Sequence, residues 1–324
     1  MKKYIVILIL IGWVGAVSAQ QIPVSTIFVE NPFFFNPAVA GSDNGFKVRL
    51  NSRMQWLGFG DGPVTNSLSF YGPHQVRPMG YGGALTQDKT GPVSSLKVSG
   101  GYAYNIFITS DIRASFGLNA GFIQYVVDGT QFVNIADPGD PLTESKMSSF
   151  KPDAGAGLYV YHYDYFFGLS AQQLFSNKVK FAKGGEDGDG NGNGNGNGNG
   201  NGGGSGEVEN KLKTHFYGYG GYRITMMNKI KIEPTVLVRK VSTLPMQMDI
   251  NARVIYDYQF WGGLSARNTF NSFDDLSLIF GYIHERRISI SIAYDFTFAK
   301  IRSYTAGTIE LVLGYNFDDV KKGR

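Results

Sequence analysis

The chain has 324 residues, a formal net charge of +4, 14% aromatic and 17% charged residues, 43 glycines, four histidines and no cysteine. These figures exclude disulfides, thiolate chemistry and a lipid-anchored N-terminal cysteine; they leave too little positive charge for a nucleic-acid partner and give the scattered histidines no thiolates for a structural zinc site. The length suits one large β domain or two smaller ones, and abundant glycine and aromatic residues with few charges fit closely spaced strands edged by aromatic girdles.

Residues 1–19 carry Lys2 and Lys3, an apolar run from Tyr4 to Val14 and small residues at Ser18 and Ala19. This pattern predicts a cleavable export signal cut after Ala19. The apolar run is short for a bilayer span, which needs about 20 residues as a helix. Residues 20–44 are irregular, punctuated by Pro23, Pro32 and Pro37 around Phe33, Phe34 and Phe35. No strand is expected there. Aromatic residues that need burial, placed just ahead of the first strand, make this segment a candidate plug for a barrel lumen.

From Phe46 onward apolar and polar residues alternate. Between Phe46 and Trp56 one face carries Lys47, Arg49, Asn51, Arg53 and Gln55; between Arg287 and Phe296, Ile288, Ile290, Ile292, Tyr294 and Phe296 share the other kind of face. A period of two means strands. The expected strands run over 45–56, 63–71, 79–87, 93–106, 111–125, 152–161, 164–174, 212–226, 229–240, 246–257, 259–267, 275–284, 286–297 and 306–317. Alternation alone fits a soluble sandwich as well as a membrane barrel.

The connections decide between them. Outer-membrane barrels have an even strand number, short periplasmic turns and long outer loops. Counting from the first strand, the fifth (126–151) and seventh (175–211) connections are the longest and the last (297–306) is extended, whereas those at 107–110, 161–163, 227–228 and 284–286 are short. Only the second, near 73–78, fits poorly. The expected fold is therefore all-β: a transmembrane antiparallel outer-membrane β-barrel of about 14 strands over 45–317, with a periplasmic tail at 318–324 and both termini in the periplasm. The seventh connection contains an Asn-Gly repeat at 184–206, a composition that buries no apolar area and predicts a disordered outer loop. A calcium-binding reading is weaker, because the repeated polar residue is Asn and the apolar position is missing.

Inward faces inferred from the alternation carry Lys47, Arg49, Arg53, Lys231, Glu233, Arg239, Asp249, Arg253, Asp295 and Glu310. Such a mixed set can pair across a lumen, solvate it, or hold a plug or partner segment. No catalytic, cofactor-binding or metal constellation is present. His162 and Asp164 sit at a short turn, His215 and His284 lack ligand spacing, and the glycines of 218–222 are not followed by a helix.

An ordered set of motifs points further. Asn36-Pro37-Ala38-Val39-Ala40-Gly41-Ser42, then Arg53-Met54-Gln55-Trp56, then Gly82-Gly83 with Asp88-Lys89-Thr90-Gly91-Pro92, resemble the opening of the PorP/SprF family of Bacteroidota outer-membrane proteins. Pro152 to Tyr159, Phe167-Gly168-Leu169-Ser170, Glu233 to Leu237, Phe260 to Ser265 and Ala293-Tyr294-Asp295 continue the resemblance in order. It implies a non-enzymatic part in type IX protein secretion and, in gliding members, surface motility. The implied partners are a large secreted adhesin-like protein with a C-terminal targeting domain, other secretion components and membrane lipid, with no cofactor. The family marks are Asn36, Pro37 and Gly41 in the N-terminal segment, Arg53, Gln55 and Trp56 in the first strand, and Asp88, Gly91 and Pro92 in the next outer loop; each also has an ordinary structural reading in turns or an aromatic girdle. The Asn-Gly insert and the tail after Phe317 depart from the family pattern. An alternative on the same fold is a channel for small hydrophobic ligands of the fatty-acid type.

Overall fold

The computed structural model describes residues 24–131, 146–175, 178–179, 182–183, 210–211, 213–226, 229–242, 244–269 and 272–317. The expected signal (1–19), the Asn-Gly insert (184–206) and the tail (318–324) lie outside the described residues.

Fourteen strands form one closed antiparallel barrel. They are β1 (Lys47–Met54), β2 (Val64–Pro73), β3 (Met79–Thr90), β4 (Val93–Phe107), β5 (Arg113–Asp128), β6 (Lys146–Tyr161), β7 (Tyr165–Gln172), β8 (His215–Tyr222), β9 (Ile230–Val241), β10 (Gln247–Tyr256), β11 (Phe260–Thr269), β12 (Ser272–His284), β13 (Ile288–Thr297) and β14 (Thr308–Asn316). Each strand pairs with its sequence neighbours, and β1 with β14 in the register Lys47↔Asn316 to Met54↔Ile309 closes the ring. Closure removes every sheet edge, which hydrocarbon would leave unpaired. Ile224–Met226 continues β8 along β9, Ala182–Lys183 pairs with the outer part of β6, and Lys178–Val179 pairs with Asn210–Lys211.

The alternation sorts the two faces. Phe116 and Leu118 are 54% and 66% exposed on the outside of β5, while Ser115 and Gly117, at the alternate positions of the pleat, are buried. Ile288, Ile290 and Ile292 likewise face out from β13, and Ser289 and Ser291 face in. The strands joined by the long connections 129–145 and 173–214 meet them at one end of the barrel, and the tight connections at 108–112, 162–164, 257–259 and 285–287 lie at the other, which defines the outer and periplasmic mouths.

Three local expectations differ from the structure. The fifth connection is shorter than 126–151, because β5 runs to Asp128 and β6 starts at Lys146, where Lys146 pairs with Asp128 at 3.1 Å and Phe122 stacks on Phe150. Gln55 and Trp56 fall beyond the end of β1: Trp56 has φ of 56°, a left-handed conformation that stops the ladder. Asp88 belongs to β3 rather than to an outer loop, accepting a hydrogen bond from Thr65 Oγ1 at 2.5 Å, so only Gly91 and Pro92 connect β3 to β4. Gly91, at φ 54°, takes the first place of that two-residue turn, where glycine is favoured.

The segment 24–44 lies inside the ring and carries three one-turn 3-10 helices, Phe28–Glu30, Pro32–Phe34 and Pro37–Val39. Asn36 caps the third through Oδ1, which accepts from the Ala38 N–H at 2.9 Å. Its Nδ2 donates to the carbonyls of Leu158 on β6 and Leu169 on β7 at 2.8 and 3.3 Å. Phe33 stacks on Tyr71 at 4.9 Å and Phe35 packs against Tyr217 at 5.3 Å. Close approach to the wall needs glycine: a Cβ at Gly157 would sit 1.9 Å from Asn36 Oδ1, and one at Gly117 2.2 Å from the Ala38 nitrogen. Gly157→Val therefore overpacks the contact at a cost of about 1–3 kcal/mol. Chymotrypsin should then cut at Phe33 to Phe35 in the folded, heat-modifiable barrel, whereas the unsubstituted protein resists; equal resistance would refute the keyed fit.

Candidate functional site in the barrel lumen

The segment inside the lumen runs from Asn44 at the periplasmic rim towards the outer mouth, reaching Thr26 beside the outer ends of β1, β10, β11, β13 and β14. β1 begins and β14 ends at the periplasmic side, so the segment doubles back up the interior from the start of the wall.

At the outer half the wall supplies charge. Arg53 lies 2.6 Å from Asp295 and 2.9 Å from Glu310; Arg267 lies 2.6 Å from Asp249 and 3.0 Å from Asp275; Arg239 also pairs with Asp249. Arg53, Asp249, Asp295 and Glu310 are each at most 1% exposed. Thr26 joins these pairs. Its N–H donates to Glu310 at 2.7 Å, its hydroxyl donates to Asp295 at 3.0 Å and accepts from Arg53 and Arg267 at 3.1 Å each, and its carbonyl accepts from Asn251 at 3.3 Å. Ser25 and Asn51 donate to the other oxygen of Glu310 at 2.5 and 2.8 Å. Buried carboxylates tolerate burial when their lone pairs are filled this way.

The inner half holds a second cluster. Arg253 bridges Glu30 of the inner segment at 2.6 Å and Glu233 at 2.8 Å, and Arg223 reaches Glu233 at 2.6 Å. Lys231 donates to Tyr163 Oη at 2.8 Å, which lowers the phenol pKa in that periplasmic turn. Lys47 pairs with Asp43 at 2.5 Å, and Arg49 donates to the Glu30 carbonyl at 2.9 Å. The ten charged residues singled out by alternation thus all sit on the inner face, but they meet in separate groups. Arg267, Asp275, Arg223, Glu30 and Thr26 were not singled out. Parity with Ser265 was available for Arg267; nothing local marks Thr26.

Of the family marks, Asn36, Pro37 and Gly41 lie in the inner segment, with Gly41 at φ 78° against Gly80 and Asn105. Arg53 belongs to the outer charge cluster. Trp56 packs edge-on against Phe59 at 6.2 Å in a ledge where loops 55–63 and 298–307 join, Leu57 N–H donating to Gly307 at 2.8 Å and Ala306 N–H to Leu57 at 2.7 Å. Phe59, Phe298 and Tyr304 are exposed on this ledge. His162 Nδ1 accepts the Asp164 N–H at 3.1 Å as a turn contact, and the 218–222 glycines make room for rings: a Cβ at Gly221 would lie 2.6 Å from Phe166. Among the described residues no group of His, Asp or Glu has the arrangement of a metal site.

A closed barrel with a lipid-facing apolar exterior and a filled polar interior is an outer-membrane protein. A family model described as type IX secretion system membrane protein PorP/SprF matches residues 17–315, and the chain belongs to that family. No curated protein matches significantly. Among solved structures, a deletion mutant of the TodX monoaromatic hydrocarbon channel aligns with a TM-score of 0.50 at 9% identity, covering 87% of this chain and 92% of that one. The toluene transporters TodX of Pseudomonas putida (TM-score 0.48, 9% identity, 88% and 93% covered) and TbuX of Ralstonia pickettii (0.48, 9%, 87% and 91%) are also similar. At such identity the first of these speaks for the barrel fold alone.

Breaking a buried pair costs more than breaking an exposed one. Glu310→Gln should lower stability by about 3–5 kcal/mol, read from the urea midpoint in detergent micelles, whereas Lys146→Gln, whose side chain is 69% exposed, should change it by at most about 1 kcal/mol. Equal small effects would show that the outer cluster is not a stabilising closure.

Proposed function

We propose that this protein is a non-enzymatic partner in type IX secretion that docks a large secreted adhesin-like protein at the outer mouth, helping to export it or holding it at the surface through its C-terminal targeting domain. Residues 24–44 act as a plug that keeps the lumen shut. The observation that carries this reading is the filled lumen: Phe28, Phe33, Phe35, Asn36, Ala38 and Val39 are each at most 6% exposed inside the ring, so a client meets loops rather than a pore. The ledge of loops 55–63 and 298–307 offers it exposed aromatics on an ordered frame, the kind of residue that dominates protein interfaces. A channel for small hydrophobic ligands is the alternative, and the charged outer half of the lumen argues against an apolar passage.

Crosslinked pull-down of the tagged barrel from native outer membranes, read by mass spectrometry, tests the proposal. One large secreted protein should be recovered, dependent on its C-terminal domain, and Phe59→Ala with Tyr304→Ala should reduce its recovery about 10-fold. Recovery of the barrel with bound lipid or fatty acid alone would favour the channel.

A further inference from the structure

At the periplasmic mouth a cavity of about 270 Å³ lies between the inner segment and the wall. Its apolar side is formed by Tyr71, Tyr159, Phe166 and Tyr219, and its polar side by Lys47, Arg49, Arg223, Arg253, Glu30 and Asp43. Three of the four cations are balanced: Lys47 by Asp43, Arg253 by Glu30, and Arg223 by Glu233 just behind it. Arg49 is not. It is 4% exposed, and among the described residues its partners are neutral: Nε donates to Glu30 O at 2.9 Å, Nη1 to Val48 O at 2.9 Å and Tyr315 O at 3.4 Å, and Nη2 to Asn316 Oδ1 at 2.7 Å. Those bonds leave one Nη2 hydrogen unused.

A second polar group waits beside it. Ser289 lines the same cavity, and its Oγ is buried without a hydrogen-bond partner among the described residues. Both groups lie over Gly314, where an added Cβ would stand 2.2 Å from Ser289 Oγ and 2.9 Å from Arg49 Nη1. A buried guanidinium without a directly paired carboxylate is costly, and an unfilled buried hydroxyl adds to that cost. One excess positive charge, one unused N–H and one hydroxyl suit a monoanion; a dianionic phosphate would overturn the balance.

We infer that this periplasm-facing cavity is a carboxylate-binding site, in which Arg49 and Ser289 take one acidic side chain of a peptide segment while the tyrosine and phenylalanine wall packs against its apolar stem. The segment is either the chain's own Asp318-Asp319, which follows Asn316 closely in sequence, or an acidic stretch of another periplasmic protein. The site is independent of client docking at the outer mouth, so either reading can fail alone.

The test uses the full-length barrel in detergent micelles and a fluorescein-labelled tetra-aspartate peptide, followed by anisotropy at low salt. Saturable binding is expected, weakened about 10-fold or more in Arg49→Gln. Asn316→Asp, which sets a carboxylate against Nη2, should abolish binding while the barrel keeps its heat-modifiable migration, so the result does not depend on a destabilised variant. A chain ending at Phe317 should bind the peptide more tightly where the tail is the resident ligand, and equally where the carboxylate comes from another protein. Equal affinity of the unsubstituted protein and Asn316→Asp, or no saturable binding by either the full-length or the shortened chain, would overturn the site.

Discussion

The buried meeting of Arg53, Asp295 and Glu310 with Thr26 is the contact on which the rest of the lumen depends. The wall alone would leave those carboxylates and guanidinium groups in a narrow interior, with hydrogen-bonding capacity unfilled on the side facing the axis. Thr26 fills it with one N–H, one hydroxyl and one carbonyl, each directed at a different strand. Seating the inner segment and closing the ring are therefore one event energetically. The partners come from β1, β10, β11, β13 and β14, so the cluster also ties the first strand to the last.

The inner segment is distributed to match the wall it crosses. Its aromatic and small apolar part, Phe28 to Ala40, lies against Tyr71, Tyr159, Phe166, Tyr217 and Tyr219, and its polar start, Ser25 and Thr26, lies in the charge cluster. Gly80, Gly117 and Gly157 let the segment touch the backbone of β3, β5 and β6. Side chains there would push it off the wall. Family marks that read as ordinary turn chemistry in isolation, such as Asn36-Pro37, make cross-strand contacts instead: the Asn36 amide spans two neighbouring strands through their carbonyls.

Membership of the PorP/SprF family and the barrel fold together describe a membrane component of type IX secretion. The two mouths differ in what they offer. The outer one carries an ordered aromatic ledge and the longest connections; the periplasmic one carries tight turns and a cavity lined by four cations and two carboxylates, with Glu233 just behind Arg223. Between them lies the inner segment, packed against the wall by Phe28, Phe33, Phe35 and Val39.

The sequence by itself determined the barrel. Period-two alternation is local, every strand shows it, and the parity of long and short connections selects a ring with two unlike ends; fourteen strands and their approximate bounds follow. Bounds failed where a local exception ended or extended a ladder, as at Trp56, Asp88 and Lys146. Parity also put Lys47, Arg53 and Glu310 on one face, because facing depends only on position within a strand. Which charges meet was decided by tertiary structure alone. Arg53 and Asp295 stand 242 positions apart, Thr26 lies in a segment without periodicity, and Arg53 differs from Arg49 in the carboxylates, Asp295 and Glu310, that the fold brings to ion-pair distance of it.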